Sequence, residues 1–291
     1  MEQKTIYALG FFDGVHVGHQ ALLAECRRVA DELGYQTGVV TFLGHPDTLV
    51  SGITPKLINT PDDRERLLRS YGMERIIALP FDKTLMEMPW QDFFRLLTTE
   101  YHAGGLVCGA DFRFGHRGEG NAQRLQTICA EAGIPCIVVP EQTLEGITVS
   151  STHIRSLLEK GEMGEAVKFL GHPHILTGTV TSGQKIGRTI GIPTANLTLP
   201  DGCVVPKFGV YACKILGHPA VTNIGTRPTV GGSGITVEPW ILDFDGDLYG
   251  QDITVEFHAF LRPEVKFPSL ADLQAEVRKN AAETRIFFEK S

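Results

Sequence analysis

The sequence predicts an α/β chain in two parts: a doubly wound parallel sheet, then a small antiparallel β-barrel with a C-terminal helix. Three observations carry this expectation. Apolar strands alternate with helical segments through the first 170 residues, the pattern breaks at Gly171-His172-Pro173, and short runs separated by turn residues follow the break. A length of 291 residues suits two domains, and 42% hydrophobic residues suits packed cores rather than disorder.

In chain order, strands are expected at Thr5–Leu9, Gln36–Phe42, Arg75–Leu79, 105–108 and Cys136–Val139, with helices over 19–33, 61–71, 90–101 and 121–132 between them. Thr60 can cap the helix that begins with Pro61, while Gly34, Gly72 and Gly133 stand where helices should stop. Ligands of such sheets sit beyond the carboxyl ends of the strands. The loop over 10–18, the loop after Phe42 and the loop from Gly109 all fall there. A helix over Ser151–Lys160, closed by Gly161, and a shorter one reaching Leu170 complete a first domain over 1–170.

Beyond the break, runs at 175–182, 209–216, 220–224, 236–244 and 253–261 have the spacing of barrel strands, giving a second domain over 172–291. A fragment starting near His172 is expected to fold by itself. The last helix, over 269–289, repeats Leu270, Leu273, Val277, Ala281 and Phe288 at helical spacing and reads as a cover for the barrel.

Bulk composition narrows the function classes. No run approaches the roughly 18 to 20 apolar residues that cross a bilayer, and the N-terminus enters a strand without an apolar signal region, so a cytoplasmic protein with no membrane contact is expected. Six cysteines without Cys-x-x-Cys spacing favour reduced thiols over a disulfide frame or zinc site. A net charge of -7 argues against broad nucleic-acid binding. No oligomeric state is legible.

The chemistry begins at His16-Val17-Gly18-His19, directly after the first strand and at the start of the first helix. Residues three apart share a helix face, so both imidazoles can reach one phosphoryl group. Gly18 removes a side chain that would hold a ligand away, and the helix start aims its amides at the same anion. Ser151 and Thr152 open a later helix and can cap it for its own sake; Arg155, four residues on, shares the face of Ser151 and adds a guanidinium for phosphate. Asp111 and Phe112 follow a strand end, where an acid can accept from a ribose or adenine group or simply form a turn. In the second half, Gly183, Lys185, Gly187 and Arg188 form a glycine-rich loop with two cations, either a phosphate cradle or a flexible hairpin. Thr194 and Asn196 offer the oxygen ligands that magnesium prefers.

Taken together, Gly10-Phe11-Phe12-Asp13-Gly14-Val15-His16-Val17-Gly18-His19-Gln20, Val107 through Gly115, and Val149 through Arg155 resemble the ordered motifs of the nucleotidyltransferase half of bacterial bifunctional riboflavin kinase/FAD synthetases. Gly187-Arg188 through Asn196, Asn223 through Thr229, and Leu242-Asp243-Phe244 with Asp247 through Gly250 resemble the flavokinase half. The resemblance implies that riboflavin and ATP give FMN in the barrel, and that FMN and ATP give FAD and pyrophosphate in the sheet domain. ATP is the co-substrate, magnesium the metal, and FMN and FAD the flavin ligands.

It further implies His16 and His19 as catalytic donors and Arg155 as a grip on pyrophosphate. Gly10, Phe11, Asp13, Gly18, Asp111, Ser151 and Thr152 would line the nucleotide site, Asp13 holding the loop or a hydrated magnesium. Glu238 would be the base for the riboflavin hydroxyl, with Thr194 and Asn196 as metal ligands. Two places depart from the pattern. Gly44 stands where a proline usually precedes the His45-Pro46 pair, which leaves His45 either a ligand-side or a structural residue. Pro239 and Trp240 follow Glu238; the proline suggests an edge or bulged strand, and the tryptophan either walls the flavin or packs.

Overall fold

The computed structural model describes residues 3–181, 191–229 and 232–290, which form two compact units, 1–57 with 61–151 and 58–60 with 152–291. The first unit holds strands β1 (Thr5–Leu9), β2 (Gln36–Phe42), β3 (Arg75–Leu79), β4 (Ala103–Gly109), β5 (Arg113–Phe114), β6 (Gly120–Asn121), β7 (Cys136–Val139), β8 (Thr143–Leu144) and β9 (Ile147–Thr148). Its helices are α1 (Val17–Leu33), α2 (Pro46–Val50), α3 (Pro61–Ser70), α4 (Lys83–Glu87), α5 (Trp90–Thr99) and α6 (Ala122–Glu131). Five strands make a parallel sheet in the order β3-β2-β1-β4-β7, and β5-β6 and β8-β9 are small hairpins beside it.

Strand β1 lies at the centre, and all five of its residues are buried because both faces are covered. Ile6 and Ala8 pack with Leu23, Cys26 and Val29 of α1 on one face. Tyr7 and Leu9 pack with Phe93, Leu97 and Leu125 of α5 and α6 on the other. Alternate residues thus enter opposite cores, the arrangement that a doubly wound sheet requires. The strand order reverses at β1, so the loops after β1 and β4 open on one crevice.

Helices α7 (Ser151–Lys160) and α8 (Met163–Leu170) follow, then the barrel strands β10 (His174–Thr181), β11 (Asn196–Thr198), β12 (Gly209–Ile215), β13 (His218–Thr229), β14 (Gly232–Ile241) and β15 (Asp252–Arg262), and finally α9 (Leu270–Glu289). The barrel closes in the order β10-β11-β14-β13-β12-β15, which leaves no sheet edge to cap. Strand β14 is therefore interior, with an unbroken register to β13 from Ala220 opposite Ile241 to Thr229 opposite Gly232. There is no bulge at Pro239, and the edge expected there is local, since β11 pairs with β14 at Val237 and does not extend to Pro239. Its carbonyl accepts from the Ala195 amide at 2.9 Å, so the missing N–H faces the stretch just before β11 begins and costs the ladder little.

The terminal helix packs on β12 and β13, through polar residues as much as apolar ones. Asn280, Ala281 and Thr284 are buried, Arg262 Nε donates to Asn280 Oδ1 at 3.0 Å, and Arg285 grips Asp243 at 2.7 and 3.1 Å. Leu270, by contrast, is 56% exposed: the helix starts before it reaches the barrel's apolar surface.

Two predictions follow from packing in the second unit. The compact units divide at residues 151 and 152, upstream of the break expected at 171, because α8 buries Met163, Ala166, Phe169 and Leu170 and packs against β10 and β15. Burial of large side chains at about 1.5–3 kcal/mol each makes α8 a substantial part of this unit. A 152–291 fragment should therefore be soluble and unfold at higher temperature than a 172–291 fragment; equal melting of the two would show that α8 adds nothing.

The second concerns His174, which is fully buried in the barrel with neither ring nitrogen hydrogen-bonded among the described residues. Burial, helped by His172, pushes its pKa down to about 3. An unfolded histidine titrates near 6.5, so between the two values the unfolded chain binds the extra proton and stability falls as pH falls. Between pH 7 and 5 the loss should be roughly 2 kcal/mol. Thermal unfolding of the parent and of His174→Leu at both pH values measures it: the parent should lose more, and parallel losses would remove His174 as the cause.

Candidate active sites

The first site is built on the loop between β1 and α1. Phe12 and Val15 hold left-handed φ angles of 59° and 39°, and Val15 is β-branched, so this backbone is strained. The loop is held from many sides. Thr41 Oγ1 and Arg64 Nη1 both donate to Phe11 O, at 2.9 and 3.0 Å, Gln20 Nε2 donates to Val15 O at 2.9 Å, and Ser151 Oγ donates to Asp13 O at 2.8 Å. The Ser151 hydroxyl, read from sequence as a cap or phosphate donor, thus joins one motif to another. Asp13 is only 2% exposed, and its carboxylate acts on the Arg64 charge, which favours loop holding over a hydrated metal.

His16 is the N-cap of α1, its Nδ1 accepting from the His19 amide at 3.3 Å. That bond puts the proton of the neutral ring on Nε2. The two imidazoles stack with centroids 3.6 Å apart and planes 13° from parallel. His19 is held well below the usual histidine pKa by burial first, then by His16 and by Arg64. A Cβ on Gly18 would stand 3.2 Å from the His16 ring, so this glycine makes room for its neighbour's imidazole before it makes room for a ligand.

Both histidines line a cleft of about 640 Å³ together with Gly10, Phe11, Gly18, Asp111 and Ser151. Asp111 folds over Gly109, where a Cβ would meet its Oδ1 at 2.7 Å. His45 caps α2 by accepting from the Asp47 amide at 3.1 Å and packs edge-on to Phe11 at 4.6 Å, a structural role; Gly44 before it has no atom within 4 Å of a Cβ position. Thr152 and Arg155 lie on α7 in the second compact unit, continuing the helix that Ser151 begins. Sequence reading missed Arg64, because an arginine in the charged turn Pro61-Asp62-Asp63-Arg64 carries no sign of burial.

The barrel carries the second site. A cavity of about 460 Å³ is lined by Thr194, Pro239, Phe244, Asp247 and Tyr249, among others. Antiparallel pairing of Leu197 with Val237 places Asn196 opposite Glu238 one step along, and Asn223 opposes Glu238 from β13. Glu238 therefore stands between two amide side chains, on the face of β14 opposite to Val237 and Pro239. Thr194 and Pro239 line the cavity, whereas Glu238 and Asn196 are not among its lining residues. Trp240 packs with Val210, Val221, Leu242 and Ala281 beneath α9, so it fills the core there. Gly183, Lys185, Gly187 and Arg188 lie outside the described residues.

A doubly wound parallel sheet with two stacked imidazoles at a cleft, followed by a closed six-stranded barrel with a cavity of its own, defines a two-unit protein with a candidate site in each unit. Comparison with known proteins makes this specific. The FAD synthetase family matches residues 1–153 and the riboflavin kinase family residues 170–288. A bifunctional riboflavin kinase/FMN adenylyltransferase of Listeria monocytogenes is 35% identical, covering 99% of this chain and 93% of its own length. One of Escherichia coli K12 is 34% identical, covering 99% and 94%. A crystal structure described as a macrolide-efflux protein of Streptococcus pneumoniae has TM-score 0.87 and 31% identity, covering 98% of this chain and 95% of that one. The chain belongs to the bifunctional riboflavin kinase/FMN adenylyltransferase family, whose members phosphorylate riboflavin to FMN and adenylylate FMN to FAD.

Proposed function

We propose that the sheet unit performs adenylyl transfer with His16 and His19, and that the barrel unit performs riboflavin phosphorylation with Glu238 as base. The observation that carries the first assignment is the stacked imidazole pair at the start of α1, facing a cleft. In adenylyl transfer an FMN phosphate oxygen attacks the α-phosphorus of ATP in line and pyrophosphate leaves, with no covalent enzyme intermediate. Extra negative charge gathers on the transferring phosphoryl group. Imidazole N–H groups and the α1 amides are suited to that charge, and the held loop keeps them in place. Gly10, Phe11, Gly18 and Asp111 shape the nucleotide pocket, Asp13 holds the loop, and Arg155 with Thr152 is assigned to the leaving pyrophosphate on the strength of the family motif.

In the barrel, Glu238 accepts the proton of the riboflavin 5'-hydroxyl as its oxygen attacks the γ-phosphorus of ATP, and ADP leaves. Thr194 and Asn196 fit the nucleotide's magnesium, since a hydroxyl and an amide carbonyl are the hard oxygen donors this ion prefers, with phosphates and water completing the shell. When bound, magnesium supplies charge neutralisation on the transferring phosphate. Gly183, Lys185, Gly187 and Arg188 are assigned to the phosphates of the same ATP by family motif alone. The functional boundary is proposed between 170 and 172. Six cysteines outside any disulfide suit a reducing compartment, and the cytoplasm is proposed as the location.

Incubation of the whole chain with riboflavin, ATP and magnesium, with FMN and FAD resolved over time, tests the assignment. FMN should appear first and FAD after it. Glu238→Gln should cut FMN formation by roughly 100-fold or more, the scale of a positioned base, while supplied FMN still becomes FAD. Retention of FMN synthesis within a few-fold would make Glu238 a structural carboxylate. His19→Ala should do the reverse, losing most FAD formation with riboflavin phosphorylation intact; equal loss of both steps in folded protein would refute the division.

A further inference from the structure

Arg64 is the fourth residue of α3 and only 2% exposed. A guanidinium is rarely buried so fully, because its charge must leave water and every N–H then needs a partner. Here the partners are backbone carbonyls from two different segments: Nη1 donates to Phe11 O at 3.0 Å and Nη2 to Phe42 O at 2.8 Å. The same group lies 4.5 Å from the centroid of the Phe11 ring. Phe11 belongs to the loop that carries both histidines, Phe42 ends β2, and both line the cleft. One side chain thus spans two walls of the site. Its charge is also felt there, since Asp13 acts on it from the loop and it acts on His19.

We propose that Arg64 is a positioning residue for adenylyl transfer, pinning the histidine-bearing loop to the end of β2 and fixing a permanent positive charge behind the paired imidazoles. The proposal rests on the assignment of His16 and His19 to that reaction. A bidentate fork is required, because a lysine ammonium keeps the charge but is a point donor that does not reproduce the two-carbonyl geometry. The charge has a separate effect. His19 faces His16 from its own stack and Arg64 from α3, with Asp13 opposing Arg64; burial first, then His16 and the Arg64 charge, disfavour a proton on His19. Geometry and field can therefore be separated by two variants.

The test uses the full chain carrying Arg64→Lys or Arg64→Met. Conversion of FMN to FAD and of riboflavin to FMN is measured in the same samples, and the His19 ring is titrated by carbon-13 histidine NMR. In both variants kcat for FAD formation should fall ~10-fold or more, the consequence of displacing aligned groups by a fraction of an ångström to an ångström. Riboflavin phosphorylation should stay within about twofold, because the two reactions have separate sites. His19 should titrate at higher pH in Arg64→Met than in the parent and near the parent value in Arg64→Lys. FAD formation within about threefold of the parent in both variants would overturn the proposal. So would lost activity with an unmoved His19 titration in Arg64→Met, which would leave Arg64 a packing residue. Should Arg64→Met not fold, kcat of Arg64→Lys decides. His19→Ala separates the two readings: normal FAD formation in it would sink the site assignment, whereas an inactive His19→Ala beside active Arg64 variants would sink this inference alone.

Discussion

The first site depends on one constraint: a strained loop held by hydrogen bonds to its carbonyl oxygens. Left-handed backbone at Phe12 and Val15 costs of the order of 1–3 kcal/mol per residue, so the loop persists only where its surroundings over-determine it. Thr41 and Arg64 on Phe11 O, Gln20 on Val15 O and Ser151 on Asp13 O are those surroundings. The result is a helix that begins on His16, with the next imidazole stacked on the first at 3.6 Å. Burial first, then the His16 ring and the Arg64 charge, hold the His19 pKa well below the usual histidine value.

The barrel solves a different problem by different means. Its site is made by strand pairing, which places Asn196 and Asn223 on either side of Glu238 without any strained loop. Closure of the barrel makes β14 interior, and the register tolerates Pro239 because the lost donor falls where β11 has not yet started. Pro239 faces the cavity lined by Thr194, while Glu238 takes the opposite face of the strand. The proposed base and one proposed metal ligand, Asn196, are related by the cross-strand register of β14 and β11, a relation that a slip of one residue would destroy.

Much of this was legible in the sequence, and the reason is periodicity. Strands β1, β2, β3 and β7 and helix α7 have the bounds their apolar patterns predict, since strands covered on both faces and amphipathic helices write their period directly into the chain. The two-part architecture, the motif loops at the carboxyl ends of the strands and the covering helix are also readable there. The three-residue strand β11 was not, being too short to show a period, nor were the short helices α2 and α4.

Tertiary structure decided the rest, because partners in space have no spacing in sequence. The grouping of α8 with the barrel in one compact unit follows from the surface it buries, which the Gly171-His172-Pro173 break, where its helix stops, does not reveal. Trp240 became core because α9 folds over it, and Ser151 became a brace because Asp13 lies within its reach, 138 residues away along the chain. The family and its two activities could be read from the order of motifs along one chain. The burial of Arg64 beside Asp62 and Asp63 could not, since it depends on Phe11 and Phe42, whose carbonyls converge on it only once β1 and β2 are paired in register.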